Sequence, residues 1–251
     1  MTANLSEREK EVLRLLSEDN NLTVAHISHV LEVSRVTIRS DLNSLAEKGF
    51  IVRTRGGAFP AFHPNILDRQ KHMVEVKNRI AQRAASFVED GDTIMIEAGT
   101  TTALVAKYLL GKRDIHIVTN STLIIPYARI NPSINLTVVG GEFRPITESL
   151  VGTVALHDLE QFHVKYAFVG TDGFSIETGL TTHLTEGAEI VRKMAQQAET
   201  TVLVADSSKY GKMGFALVLP VSELDTIITD TKISFSILKS LEEGGTSVIA
   251  V

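Results

Sequence analysis

Up to Lys48 the apolar residues recur at helical spacing, and polar residues mark the breaks between them. Ser6 followed by Glu9 is a capping-box pair, and Val12, Leu13, Leu15 and Leu16 form one stripe. Together they predict a helix from about Glu7 to Ser17, closed by Asp19, Asn20 and Asn21. Thr23 is placed to cap a short second helix with Val24, Ile27, Val30 and Leu31 inward. After the turn Glu32-Val33-Ser34, Ser34 caps a third helix from Arg35 to about Lys48. Two short helices joined by about three residues have helix-turn-helix spacing. Beyond Gly49, the run 50–59 reads as a short β-hairpin, with Arg53 and Arg55 on one face and Gly56-Gly57 at the turn.

The pattern then changes. Residues 58–76, with Pro60 and Pro64 and little apolar period, read as a linker. Past it, short runs apolar on both faces alternate with amphipathic stretches. Strands are expected at 93–99, 115–120, 136–141, 166–173, 200–206, 226–230 and 247–251. Helices are expected at 77–88, 101–110, 121–130, 151–159, 186–198 and 234–242. This alternation predicts a mostly parallel sheet covered on both sides. The expected organisation is therefore a helix-turn-helix module with a hairpin at 1–57, a linker at 58–76 and an α/β domain at 77–251.

Composition narrows the class. With 43% hydrophobic and 22% charged residues the chain is an ordinary globular one, not a disordered or collagen-like one. It has no cysteine, which removes disulfides, thiolate metal sites and a cysteine nucleophile. No stretch is long and apolar enough to span a bilayer, and MTANLSEREKEV is polar where a signal peptide needs an apolar core, so the expectation is a cytoplasmic protein with no membrane partner. The net charge of −5 argues against a general nucleic-acid coat, but it is an average. Residues 33–57 hold five bases (Arg35, Arg39, Lys48, Arg53, Arg55) against Asp41 and Glu47. That short segment is basic while the larger part of the chain is acidic.

On the third helix, Ile38, Leu42 and Leu45 share one side, leaving Val36, Ser40, Asn43 and Ser44 opposite, flanked by Thr37 and Arg39. Such a face suits a major groove, where Arg reads guanine, Asn reads adenine, and Ser or Thr bonds phosphates or base edges. The candidate DNA contacts are Ser34, Arg35, Val36, Thr37, Arg39, Ser40 and Asn43, with Arg53 and Arg55 gripping phosphates.

In parallel α/β sheets ligands bind at the carboxyl ends of the strands. Those ends are rich in Gly, Thr, Asn and Asp here. Glu97, Gly99, Thr100, Thr101 and Thr102 follow the first strand, Asn120 the second, Gly141 the third, Asp172 and Gly173 the fourth, and Lys209 the fifth. Backbone N–H groups, hydroxyls and the lysine suit a phosphate, and Glu97, Asp172 and Asn120 suit sugar hydroxyls.

The segment SRVTIRSDLNSLAEKGFIVRTRGGA resembles the winged helix of the DeoR-type bacterial transcription regulators. Ser34, Thr37, Ile38, Arg39, Asp41, Leu42, Leu45, Gly49, Arg53, Gly56, Gly57 and Ala58 fall on that family's pattern, while Ser40 and Arg55 depart from it. Further on, Gly99-Thr100-Thr101, Thr119-Asn120, Gly140-Gly141, Gly152, Phe168-Val169-Gly170, Asp172-Gly173, Gly179-Leu180-Thr181 and Asp206-Ser207-Ser208-Lys209 are similar to the sensor domain of the same family. The resemblance implies an α/β protein: an N-terminal winged helix-turn-helix, then a mostly parallel α/β sensor domain similar to ribose-5-phosphate isomerase. It also implies a ligand-controlled regulator, a repressor of carbohydrate-metabolism genes, with operator DNA and a phosphorylated sugar as partners. Paired half-sites call for a homodimer or homotetramer.

The alternative is an isomerase-like enzyme carrying a DNA-binding module. Asp172, Glu97 and Lys209 offer suitable groups for proton transfer. Against it, Phe174-Ser175 follow Asp172-Gly173 where the isomerases carry a further acid, and their lysine-glycine loop has no counterpart. Neither G-x-G-x-x-G nor a Walker loop occurs, so no nucleotide cofactor is expected. His26 and His29 stand three apart without an evident third ligand, so no metal is expected.

Overall fold

The computed structural model describes residues 5–19 and 22–251; Asn20, Asn21 and the first four residues of the polar amino terminus lie outside the described residues. The chain divides into two compact units, Met1–Lys71 and His72–Val251.

The first unit runs α1 (Glu7–Glu18), α2 (Val24–Val30), α3 (Arg35–Glu47), β1 (Ile51–Arg53), β2 (Ala58–Pro60) and α4 (Pro64–Lys71). The capping box is present: Ser6 Oγ accepts from the Glu9 amide at 3.1 Å and the Ser6 amide donates to Glu9 Oε2 at 2.7 Å. Thr23 and Ser34 cap α2 and α3 through the amides of His26 and Thr37. Val12, Leu13, Leu16, Ile27, Ile38, Leu42, Leu45 and Ile51 make one buried core. Val30, expected inward, is 44% exposed instead, while Leu31 beside it packs against the core.

β1 and β2 pair antiparallel with Ile51 opposite Pro60 and Arg53 opposite Ala58. Arg55 therefore lies in the turn and not on the strand face with Arg53. Gly57 closes against the chain just before α2, where a Cβ would meet the Leu22 carbonyl at 2.8 Å. The stretch expected as a linker is structured: it contains β2, α4 and the start of the next helix, and Leu67 of α4 joins the first unit's core. The prolines that suggested a hinge end β2 and begin α4, positions where proline needs no amide partner.

The second unit comprises α5 (Val74–Ala85), β3 (Thr93–Ile96), α6 (Thr102–Lys107), β4 (Ile115–Thr119), α7 (Ile125–Ile130), β5 (Ile134–Val138), β6 (Glu142–Arg144), β7 (Ser149–Val151), α8 (Thr153–Glu160), β8 (Val164–Val169), β9 (Gly173–Ser175), β10 (Gly179–Thr182), α9 (Thr185–Gln196), β11 (Ala198–Val204), β12 (Ala216–Leu217), β13 (Thr226–Thr229), α10 (Phe235–Glu243) and β14 (Ser247–Ala250). Among the described residues a seven-stranded sheet in the order β14-β13-β11-β8-β3-β4-β5 forms its centre, and every pairing in it is parallel. Met95, Ala167, Val169, Leu203 and Ile227 pack with residues of α8 and α9. Their neighbours Ile94, Ile96, Phe168, Val202 and Ile228 are equally buried on the alternate face, as period-2 strands require.

All seven strands of the central sheet overlap expected ones, with ends shifted by up to four residues, while the 151–159 helix begins at Thr153 because Val151 belongs to β7. The small β6–β7 hairpin and the sheet β12-β10-β9 were not expected. They rise from the chain after β5, after β8 and, for β12, after β11, beyond the carboxyl ends of those central strands.

Candidate nucleic-acid interface and effector site

α3 is held at its amino end by Ser34, whose Oγ also lies 2.8 Å from Thr37 Oγ1. Arg35, Val36, Arg39, Ser40 and Asn43 are exposed, Val36 at 73%, so an apolar group stands among polar ones on the outer face. Arg53 reaches from β1 to Asn43 Oδ1 at 2.6 Å and to the Arg39 carbonyl at 3.4 Å. A guanidinium only donates, so it orients the Asn43 carbonyl inward and the amide NH2 away. To read adenine through a donor–acceptor pair, Asn43 has to share its carbonyl oxygen with Arg53 or give that bond up.

Ser44, expected on the reading face, faces α1: its hydroxyl donates to Glu9 Oε1 at 2.7 Å. Lys48 Nζ donates to the same oxygen at 2.7 Å. Burial raises the Glu9 carboxyl pKa, but the hydrogen bonds from Lys48, Ser44 and the Ser6 amide outweigh it and bring the value down to about 2. One turn earlier, Arg8 makes two bonds to Asp41, Nε to Oδ2 at 2.6 Å and Nη2 to Oδ1 at 3.0 Å. Sequence spacing does not foretell these pairs, which join residues 33 to 39 apart.

At the carboxyl edge of the central sheet, register places Ile96 beside Thr119 and Phe168, so the loops that follow β3, β4 and β8 meet. Glu97 Oε2 accepts from the Gly170 amide at 3.1 Å. Asn120 Oδ1 accepts from the Ala98 amide at 3.0 Å, and its NH2 donates to the Leu150 carbonyl at 3.2 Å. Thr102 is fully buried and donates to the Gly99 carbonyl at 3.0 Å. Asn120 and Thr102 thus shape the loop, whereas Glu97, Gly99, Thr100 and Thr101 are half-buried along it. α6 begins at Thr102 and is six residues long, shorter than expected.

Asp172 Oδ2 accepts from the His183 amide at 2.9 Å, tying β8's end to the small sheet. Gly173 packs so tightly that a Cβ would lie 2.1 Å from the Lys212 carbonyl oxygen. Gly141 has φ +129° and would place a Cβ 2.5 Å from the Val151 carbonyl oxygen. Lys209 ends the 3₁₀ turn Ser207–Lys209 and is half-buried. These distances draw Glu97, Gly99, Thr100, Thr102 and Asn120 into one cluster; Asp172, Gly173, Gly141 and Lys209 stand on neighbouring loops.

One residue of this region escaped the sequence reading. Lys77 on α5 is 5% exposed, and its Nζ lies 3.3 Å from Thr100 Oγ1. In the sequence it is one more lysine at the start of a helix; only the packing of α5 against α6 reveals it. Among the described residues no group of three or more His, Asp or Glu is placed to hold a metal ion. No helix there is long and apolar enough to cross a membrane.

Family models match both units. The DeoR-like helix-turn-helix domain covers residues 8–60, and the DeoR C-terminal sensor domain covers residues 72–231. The chain belongs to the DeoR family. Among relatives of this DeoR-family regulator is the HTH-type transcriptional repressor GlcR of Bacillus subtilis, 34% identical over 97% of this chain and 95% of that protein. The transcriptional regulator GlpR of Haloferax volcanii is 32% identical over 97% of both. GolR of Listeria innocua is 30% identical over 96% and 97%. Those relatives are named as regulators, not enzymes, and the DeoR-family chain is accordingly a DNA-binding transcription regulator. A solved ribose 5-phosphate isomerase from Methanocaldococcus jannaschii resembles 55% of the chain, covering 54% of its own, at 20% identity and TM-score 0.40.

Proposed function

We propose that this DeoR-family protein represses carbohydrate-metabolism genes from the cytoplasm, and that a phosphorylated sugar bound at the carboxyl edge of the sheet controls its hold on operator DNA. In this reading Val36, Arg39, Ser40 and Asn43 meet base edges. Ser34, Arg35, Thr37, Arg53 and Arg55 hold phosphates. The sensing function belongs to the region after residue 76. Two half-sites require two copies, so the working form is a homodimer or homotetramer.

Lys77 carries the effector half of the proposal. Its ammonium is held inside the fold, 3.3 Å from Thr100 Oγ1, so a cation is directed at a glycine-threonine loop. With the Gly99, Thr100 and Thr101 amides and Lys209, it supplies cationic and donor groups for a phosphate. Glu97 and Asp172 supply acceptors for hydroxyls. Asn120 and Thr102 act by fixing the loop.

The test is a thermal-shift panel on the full chain with triose, pentose and hexose phosphates beside the unphosphorylated sugars, followed by fluorescence anisotropy on DNA. Stabilisation by one phosphorylated sugar, with release of DNA at the same concentration, is expected. Stabilisation by an unphosphorylated sugar equal to that by its phosphate would remove the phosphate from the account.

A further inference from the structure

α1 meets α3 through two charged rungs as well as through leucines. Arg8 holds Asp41 with two parallel bonds, and Glu9 holds Ser44 and Lys48. Asp41, Ser44 and Lys48 follow one another at three and four residues, a single stripe on α3. Val36, Arg39 and Asn43 project from the opposite side of the same helix. Asp41 is 7% and Glu9 5% exposed, so neither carboxylate lies on the outer surface.

The apolar contacts of Leu42 and Leu45 are non-directional and tolerate small rotations of α3. The rungs do not, because a bidentate guanidinium–carboxylate pair has a fixed plane. Their polarity also fixes order: exchanging the two rungs would set Arg8 on Lys48 and Glu9 on Asp41, like charge on like. A rotation of α3 by about 20° moves a side-chain tip roughly 5 Å from the axis by about 2 Å, enough to break a hydrogen bond to a base edge.

We propose that Arg8 and Glu9 are positioning residues for DNA recognition: clamped to Asp41 and to Ser44 and Lys48, they set the rotation of α3 and hence sequence selectivity, without touching DNA bases. The proposal rests on α3 being the reading helix, and the test separates the two ideas.

Asp41→Ala in the full chain removes a negative charge from a DNA-binding unit. By charge alone, binding to every DNA tightens. With the clamp acting as proposed, binding to a duplex selected in vitro by the wild-type chain weakens about tenfold, the loss of one correctly placed base contact. Binding to a shuffled duplex of equal composition stays level or tightens. The readout is the ratio of the two affinities at one salt concentration, which a structural role alone would not move in protein that remains folded.

An unchanged ratio in folded Asp41→Ala protein overturns the proposal. If Asp41→Ala unfolds the first unit, Arg8→Gln carries the test. Arg8 is half exposed, both affinities should fall with the lost cation, and the ratio must still fall about tenfold. There too an unchanged ratio overturns it. Arg39→Ala serves as the control. If it leaves the ratio unaltered, Arg39 contacts phosphate and not a base edge, and the reading face assigned to α3 fails at that residue; if it lowers the ratio and the clamp variants do not, only the positioning role fails.

Discussion

Glu9 makes the first unit sensitive to acid in a calculable way. Its carboxyl is drawn from an ordinary 4.5 to about 2 in the folded chain. Between those values the unfolded chain holds the proton more readily, so the stabilisation is complete above 4.5 and is lost as pH falls toward 2. The displacement corresponds to about 3 kcal/mol at pH 7, and the same two values leave less than half of that at pH 3. The perturbation is Glu9→Gln, which keeps the side chain's size and removes its charge. Fluorescence would miss the effect, since the chain has no tryptophan and its four tyrosines, residues 108, 127, 166 and 210, all lie in the second unit. Hydrogen exchange of the slowest amides in α1 and α3 reads it directly. The expected result is an opening free energy lower by about 2 to 3 kcal/mol in Glu9→Gln at pH 7, with the gap closing to under half at pH 3. A gap that is absent at pH 7, or that persists undiminished at pH 3, would refute the ionised-clamp reasoning.

Other expectations are independent of acid. Arg39→Ala should weaken operator binding by about 1 to 3 kcal/mol in anisotropy titrations; selective loss marks a base contact, uniform loss a phosphate contact. Lys77→Met and Thr101→Ala should leave DNA affinity intact and abolish release by the phosphorylated sugar, and a normal response in both would remove the strand-end site. Gly173→Ala should destabilise the second unit by about 2 kcal/mol or more in urea unfolding, since its Cβ would meet backbone at 2.1 Å, which cannot swing aside. Leu45→Ala, at a fully buried position, should cost the first unit about 2 to 5 kcal/mol.

What could be read in advance follows the range of the interactions involved. Strands buried on both faces leave unbroken apolar runs such as TIMI and VLVA, so the central sheet stood out in the sequence. So did the caps at Ser6, Thr23 and Ser34, which depend on neighbours three residues away. The three-residue strands β6, β7 and β9 are too short to show a period, so none of them stands out in the sequence as a strand of its own. The helical wheel sets Ser44 with Asn43, away from Ile38, Leu42 and Leu45; its partner Glu9 is 35 residues off and leaves no local trace. Asn120 and Thr102 stand out in the sequence as polar strand-end candidates for effector contact, but their polar atoms turn to the Ala98 amide and the Gly99 and Leu150 carbonyls. Lys77 shows the converse, a residue unremarkable by spacing that packing brings to the loop.

The two-part account is tested most directly by in vitro selection of DNA from a random pool with the full chain, followed by elution with each phosphorylated sugar in turn. The account predicts enrichment of a repeated or two-fold symmetric sequence, and its release by one phosphorylated sugar but not by the same sugar without phosphate. Failure to enrich any sequence, or an enriched complex that no phosphorylated sugar alters, would contradict it.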